Sequence, residues 1–118
     1  MNFKKTKIID NILLSFPNGD DVIEIRFDSK IRQAAVDENL GIVLVILENE
    51  SGQKLVALNS DGTERFSVPP PKDWNFYYLS THINHALAVV CVSPKERFDW
   101  FFSIDPNTGV LQSLNRAY

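Results

Sequence analysis

"IVLVIL", Ile42–Leu47, is an unbroken apolar run with no polar face. Six residues are too few for a buried helix, and the β-branched content suits a strand covered on both sides, hence a central one. "ALAVVCV", Ala86–Val92, has the same character. Two such runs in 118 residues imply two sheets, each with its own interior strand.

The surrounding segments read as half-buried strands. In "VIEIRF", Ile23, Ile25 and Phe27 fall on one face and Glu24 and Arg26 on the other; "TERFSV" sets Phe66 and Val68 against Arg65 and Ser67. Asn18-Gly19, Asp61-Gly62 and Thr108-Gly109 supply the positive φ that tight hairpins require. Pro69–Pro71 cannot donate to a ladder, so a strand ends there and a stiff connection begins. "TKIIDNILLSF" has helical spacing at Ile8, Ile9, Ile12 and Leu13, yet Leu14, Phe16 and the following turn suit a strand, which is preferred.

The pattern repeats. A shift of about 46 residues lays Leu55–Leu58 over Phe101–Ile104, Val43–Ile46 over Val89–Val92, and Ile31-Arg32 over Tyr77-Tyr78. The turns "LNSDGTERF" and "IDPNTGVLQ" then coincide after one inserted residue, and "ILLSFPNGDDVIEI" supplies a partial third copy. A unit of this length with four short strands resembles a blade of a β-propeller of the WD-repeat or quinoprotein type. The resemblance covers Lys30–Tyr118 and the hairpin at Asn11–Ile25, without the Trp-Asp and Gly-His signatures. It implies a single all-β, mainly antiparallel domain over residues 1–118, with about nine or ten short strands. The divisions expected are an N-terminal hairpin (1–29) and blade-like repeats at 30–72 and 73–118. Too few blades exist to close a ring, so an incomplete, half-propeller fan or a sandwich is expected, with one flank open to a partner.

Net charge is −3, which offers no basic face for nucleic acid. The chain has no apolar run long enough for a membrane span. Lys4, Lys5 and Lys7 ahead of apolar residues imitate a secretory signal, but Asp10 and Asn11 interrupt it and no small-residue cleavage site follows. A lone cysteine, Cys91, permits no intrachain disulfide and fits a reducing, cytoplasmic compartment.

No motif specifies a reaction. His82 and His85 are three apart without a third ligand, and an extended backbone sends such a pair to opposite faces. "NSDGTE", Asn59–Glu64, is a hairpin turn rather than a calcium loop, because strands flank it. Adjacent carboxylates at Asp20-Asp21 and Asp37-Glu38 diverge on a strand, and no GxSxG, phosphate cradle or Rossmann fingerprint occurs. The expectation is a protein without catalysis, cofactor or metal.

Charge supplies the positive hint. From Asp20 to Glu50 eight carboxylates face three cations, while the rest of the chain is nearly balanced. Asp20, Asp21, Glu24, Asp37, Glu38, Glu48 and Glu50 are therefore candidate contacts for a basic protein, with Trp74 as an aromatic anchor. By type, a short, acidic, motif-free domain resembles the immunity proteins of bacterial contact-dependent inhibition and related polymorphic toxin systems. That resemblance implies a cytoplasmic monomer that binds and blocks a basic, nuclease-like toxin. A self-associating assembly module and a glycan-binding β domain are the alternatives.

Overall fold

The structure, a computed structural model, describes residues 6–82 and 85–117, with the side chains of 81–86 outside that description. The described residues form eleven strands and no helix. An N-terminal sheet contains β1 (Lys7–Ile9), β2 (Leu13–Asn18) and β3 (Asp21–Arg26). A middle sheet contains β4 (Lys30–Asp37), β5 (Ile42–Asn49), β6 (Gly52–Asn59) and β7 (Glu64–Val68). A C-terminal sheet contains β8 (Asn75–His82), β9 (His85–Val92), β10 (Trp100–Ile104) and β11 (Leu111–Arg116). Every sheet is an antiparallel meander, and none closes into a barrel.

The all-β expectation holds, with two corrections of count. Asp10 and Asn11 adopt left-handed backbone, with φ of 53° and 63°, which Asp and Asn tolerate better than bulkier residues. They turn the chain back on itself, so Ile9 pairs with Leu13 and the ambiguous segment becomes two strands rather than a helix. The expected N-terminal hairpin is thus a three-stranded sheet, and the strand total exceeds nine or ten.

The sheets stack as three layers with β4–β7 in the middle. On β5, Ile42, Leu44 and Ile46 join one core with Leu55 and Phe66, facing Phe76, Leu79, Leu87, Val89, Cys91, Phe102 and Ile104 of the C-terminal sheet. Val43, Val45 and Leu47 of the same strand join a second core with Leu14 and Phe16 of the N-terminal sheet. All six residues are buried, and each contributes about 1.5–3 kcal/mol. That is why the segment has no polar face.

The two four-stranded sheets share strand order and a bulge. Ile31, Leu47 and Lys54 stand opposite one another in the middle sheet, as Phe76, Cys91 and Trp100 do in the C-terminal one. The offsets are therefore 45, 44 and 46 residues in successive strands. A uniform shift of 46 aligns the third and fourth strands but not the first two, because the β9–β10 connection is longer than the β5–β6 turn. Arg32 is the extra residue of a bulge between Ile31 and Gln33, and Tyr77 of one between Phe76 and Tyr78. Arg32 thus corresponds to Tyr77, not Tyr78. The Tyr77 bulge also ends simple alternation on β8: Phe76 and Leu79 are buried, whereas Tyr78 is turned outward.

Candidate functional site

Strand direction decides which turns meet. The Ile31 N–H donates to the Asn11 carbonyl at 2.6 Å, so β2 and β4 begin at the same rim of the stack. At the other rim the β6–β7 turn reaches β3, and a Cβ on Gly62 would approach Ile23 Cγ2 at 2.9 Å. The β10–β11 turn arrives there too. Arg65 donates from Nε to the Pro106 carbonyl at 2.8 Å, and from its terminal nitrogens to Asn107 and Asn59.

One rim therefore gathers the turns β2–β3, β4–β5, β6–β7 and β10–β11. They bring Asp20, Asp21, Asp37, Glu38, Asp61, Glu64 and Asp105, with no lysine or arginine inside the turns themselves. Arg65 is the guanidinium beside them. The opposite rim is mixed, with Asp28, Lys30, Glu50, Lys72, Asp73, Lys95, Glu96, Arg97 and Asp99 on its connections.

This geometry divides the sequence candidates. Asp20, Asp21 and Glu38 are exposed on the acidic rim. Asp37 shares that rim but is buried, and its Oδ1 accepts the Leu40 N–H at 3.1 Å. Its carboxylate holds the β4–β5 turn, so it is not available as a contact. Glu24 lies exposed on the outer face of β3. Glu48 and Glu50 sit at the other end of β5, about 20 Å away. Glu48 is also committed to Arg32 at 3.5 Å and accepts from Gln53. Trp74 precedes β8 at the mixed rim, half-buried and edge-on to Phe102 with ring centroids 5.3 Å apart. The eight residues do not form one patch.

Asp61, Glu64 and Asp105 escaped the sequence reading, although their turns had been recognised. The usable signal was that alternate turns of a meander lie at the same rim. Asp61 Oδ1 accepts the Thr63 hydroxyl at 2.6 Å and the Thr63 N–H at 3.0 Å, and these bonds hold its carboxyl below the ordinary value. Asp105 is lowered in the same direction by the N–H groups of Asn107 and Thr108. The side-chain oxygens of Asn59–Glu64 are thus used to close a turn. Both acids are exposed and strongly biased toward the charged form.

The bulges place another feature beside the sheet junction. Tyr77 and Tyr78 are 44% and 37% exposed, with rings edge to face at 5.0 Å. Arg32 lies over the Tyr77 ring at 5.6 Å. Exposed Tyr and Arg are the residue types that dominate binding energy at protein interfaces.

Burial without a charged neighbour pushes the Cys91 thiol up to about 12, so it behaves as a small apolar side chain. Among the described residues no group of three or more His, Cys, Asp or Glu could hold a metal ion. The His82–His85 pair closes the β8–β9 hairpin in the backbone, and its side chains lie outside the described residues. Among the described residues no helix is long and apolar enough to cross a membrane. No protein-family model, curated protein or solved structure matches the chain.

Proposed function

We propose that this protein is a non-catalytic binding module whose acidic rim docks a basic protein. The observation that carries the reading is the convergence, among the described residues, of four turns that with their flanking strand ends carry six exposed carboxylates, Asp20, Asp21, Glu38, Asp61, Glu64 and Asp105, beside Arg65. Such a surface draws a cationic partner through water and raises the encounter rate. Tyr77 and Tyr78 sit with Arg32 near the Glu48 end of the stack, and Trp74 lies at that end too, so the acidic rim makes the encounter without these aromatic side chains.

We read the three stacked sheets as an incomplete propeller, two blade-like sheets behind a shorter one, with its unclosed end open to a partner. Within this class we favour an immunity protein that neutralises a nuclease-like bacterial toxin. Carboxylates at the rim would occupy the cationic surface on which the toxin holds phosphates. The test is to read the neighbouring frames and, where a large secreted protein is encoded immediately upstream, to co-express its C-terminal domain with this chain. Restored growth and a 1:1 complex are expected. Undiminished killing, or no such neighbouring frame, overturns the toxin assignment.

A further inference from the structure

A second feature lies at the mixed rim, independent of the acidic one. β7 stops at Val68 because Pro69, Pro70 and Pro71 lead the chain out of the sheet. Beyond that point the middle sheet no longer covers the inner face of β10 and β11. The result is a cleft of about 280 Å³ lined by Trp74, Glu96, Trp100, Phe102 and Ser113.

Its walls are built rather than accidental. Trp74 is held by its N–H to the Pro71 carbonyl at 2.9 Å and by its edge contact with Phe102. Trp100 stands two residues before Phe102 on β10 and packs on the same core. Ser113 pairs with Phe102 across β11. The two indoles, the Glu96 carboxylate and the Ser113 hydroxyl line the cleft together. The cleft therefore combines aromatic faces with donors and acceptors at their margin.

We propose that this cleft binds a neutral sugar ring. Its volume falls at the small end of ligand sites, which suits a single ring rather than a larger molecule. Indole surface meets the C–H face of a pyranose, and the carboxylate and indole N–H groups meet its hydroxyls. A cationic ligand would fit two indoles and a carboxylate equally well in shape. The surroundings give a cation no net attraction, because Lys95, Arg97 and Arg116 offset Asp73, Glu96 and Asp99 around the cleft, with Lys95 paired to Asp73 at 3.3 Å.

The chain has only two tryptophans, and both line the cleft, so selectively excited tryptophan emission reports this site alone. Titration with glucose, galactose, mannose and N-acetylglucosamine should give a saturable change with at least one, with Kd on the order of millimolar. Glu96→Gln and Ser113→Ala, both at exposed positions, should weaken it severalfold while leaving the unfolding curve unchanged. Trp74→Phe should weaken it further. No saturation by any of the four sugars overturns the proposal. Saturation by tetramethylammonium or guanidinium but by no sugar also overturns it and makes the site a cation cage. A sugar response unaffected by all three substitutions places binding elsewhere and likewise overturns it. None of these outcomes bears on the acidic rim, which holds no tryptophan.

Discussion

Arg32 and Tyr77 are the extra residues of corresponding bulges in neighbouring sheets, and they touch: Arg32 Nε donates to the Tyr77 carbonyl at 2.9 Å while its guanidinium overlies the Tyr77 ring. Each bulge breaks its ladder, and the two irregularities meet at one junction. Beside them, Gln33 accepts the Leu79 N–H at 2.6 Å. Gln53 accepts from the Phe76 N–H at 2.7 Å and donates to the Phe76 carbonyl at 3.0 Å. Glutamines of the middle sheet thus satisfy the backbone of β8, which is an edge strand of its own sheet.

Gln53→Ala should cost about 2 kcal/mol, because it leaves both peptide groups of Phe76 without partners in a partly buried setting. Urea denaturation reads this as a lower midpoint with an unchanged slope. A cost below a few tenths of a kcal/mol would mean that water replaces the glutamine freely.

Arg32→Met retains most of the stem but removes the carbonyl bond, the Glu48 ion pair and the contact over Tyr77. The expected loss is about 1 kcal/mol, since the site is partly exposed and the ion pair is screened. Combining it with Tyr77→Leu should give less than the sum of the separate losses, as expected for residues in contact.

The backbone of Gly109 lies against the side chains of Phe66 and Val68 of the middle sheet. It has φ of 79°, and a Cβ there would come within 2.5 Å of Phe66 Cδ1 and 2.9 Å of Val68 Cγ1. Gly109→Ala should destabilise by about 2 kcal/mol or more, from left-handed strain and the displaced ring together. Differential scanning calorimetry would show it as a clear fall in Tm.

Asp61 titrates below the ordinary carboxyl value because its charged form accepts two bonds from Thr63. Its folded form holds a proton less tightly than the unfolded chain does. The stabilisation is therefore complete above the unfolded value near 3.8 and disappears as pH falls through the lowered one. Thr63→Val removes the hydroxyl donor, so the Asp61 midpoint in a carboxyl-detected NMR titration should rise toward the ordinary value. A midpoint that stays put would assign the shift to another cause.

The sequence made the layers legible where burial leaves no choice of residue. Ile42–Leu47 lies between two cores, and water-facing side chains are excluded from both its faces. Turns were legible through Gly19, Gly62 and Gly109, which all adopt positive φ. Bulges were not, since one extra residue reverses the faces that follow without altering apolar content; strict alternation from Phe76 would bury Tyr78, whereas the bulge turns it outward. The candidate site was half legible. Asp20, Asp21 and Glu38 reached the acidic rim, but nearness in sequence placed Glu48 and Glu50 with them, although consecutive hairpin turns point to opposite ends. Asp37 looks like its exposed neighbours in the sequence, and only its bond to the Leu40 N–H distinguishes it.

Association kinetics of the basic partner identified by the co-expression test with the Asp20→Ser, Asp21→Ser, Glu38→Ser, Glu64→Ser variant test the acidic rim most directly. These four side chains are exposed, so circular dichroism and the unfolding midpoint should match those of the parent. Stopped-flow mixing at low ionic strength should show association slowed by about tenfold or more, with the difference shrinking as salt is added. Equal rates for the folded variant and its parent across the salt series would contradict the account.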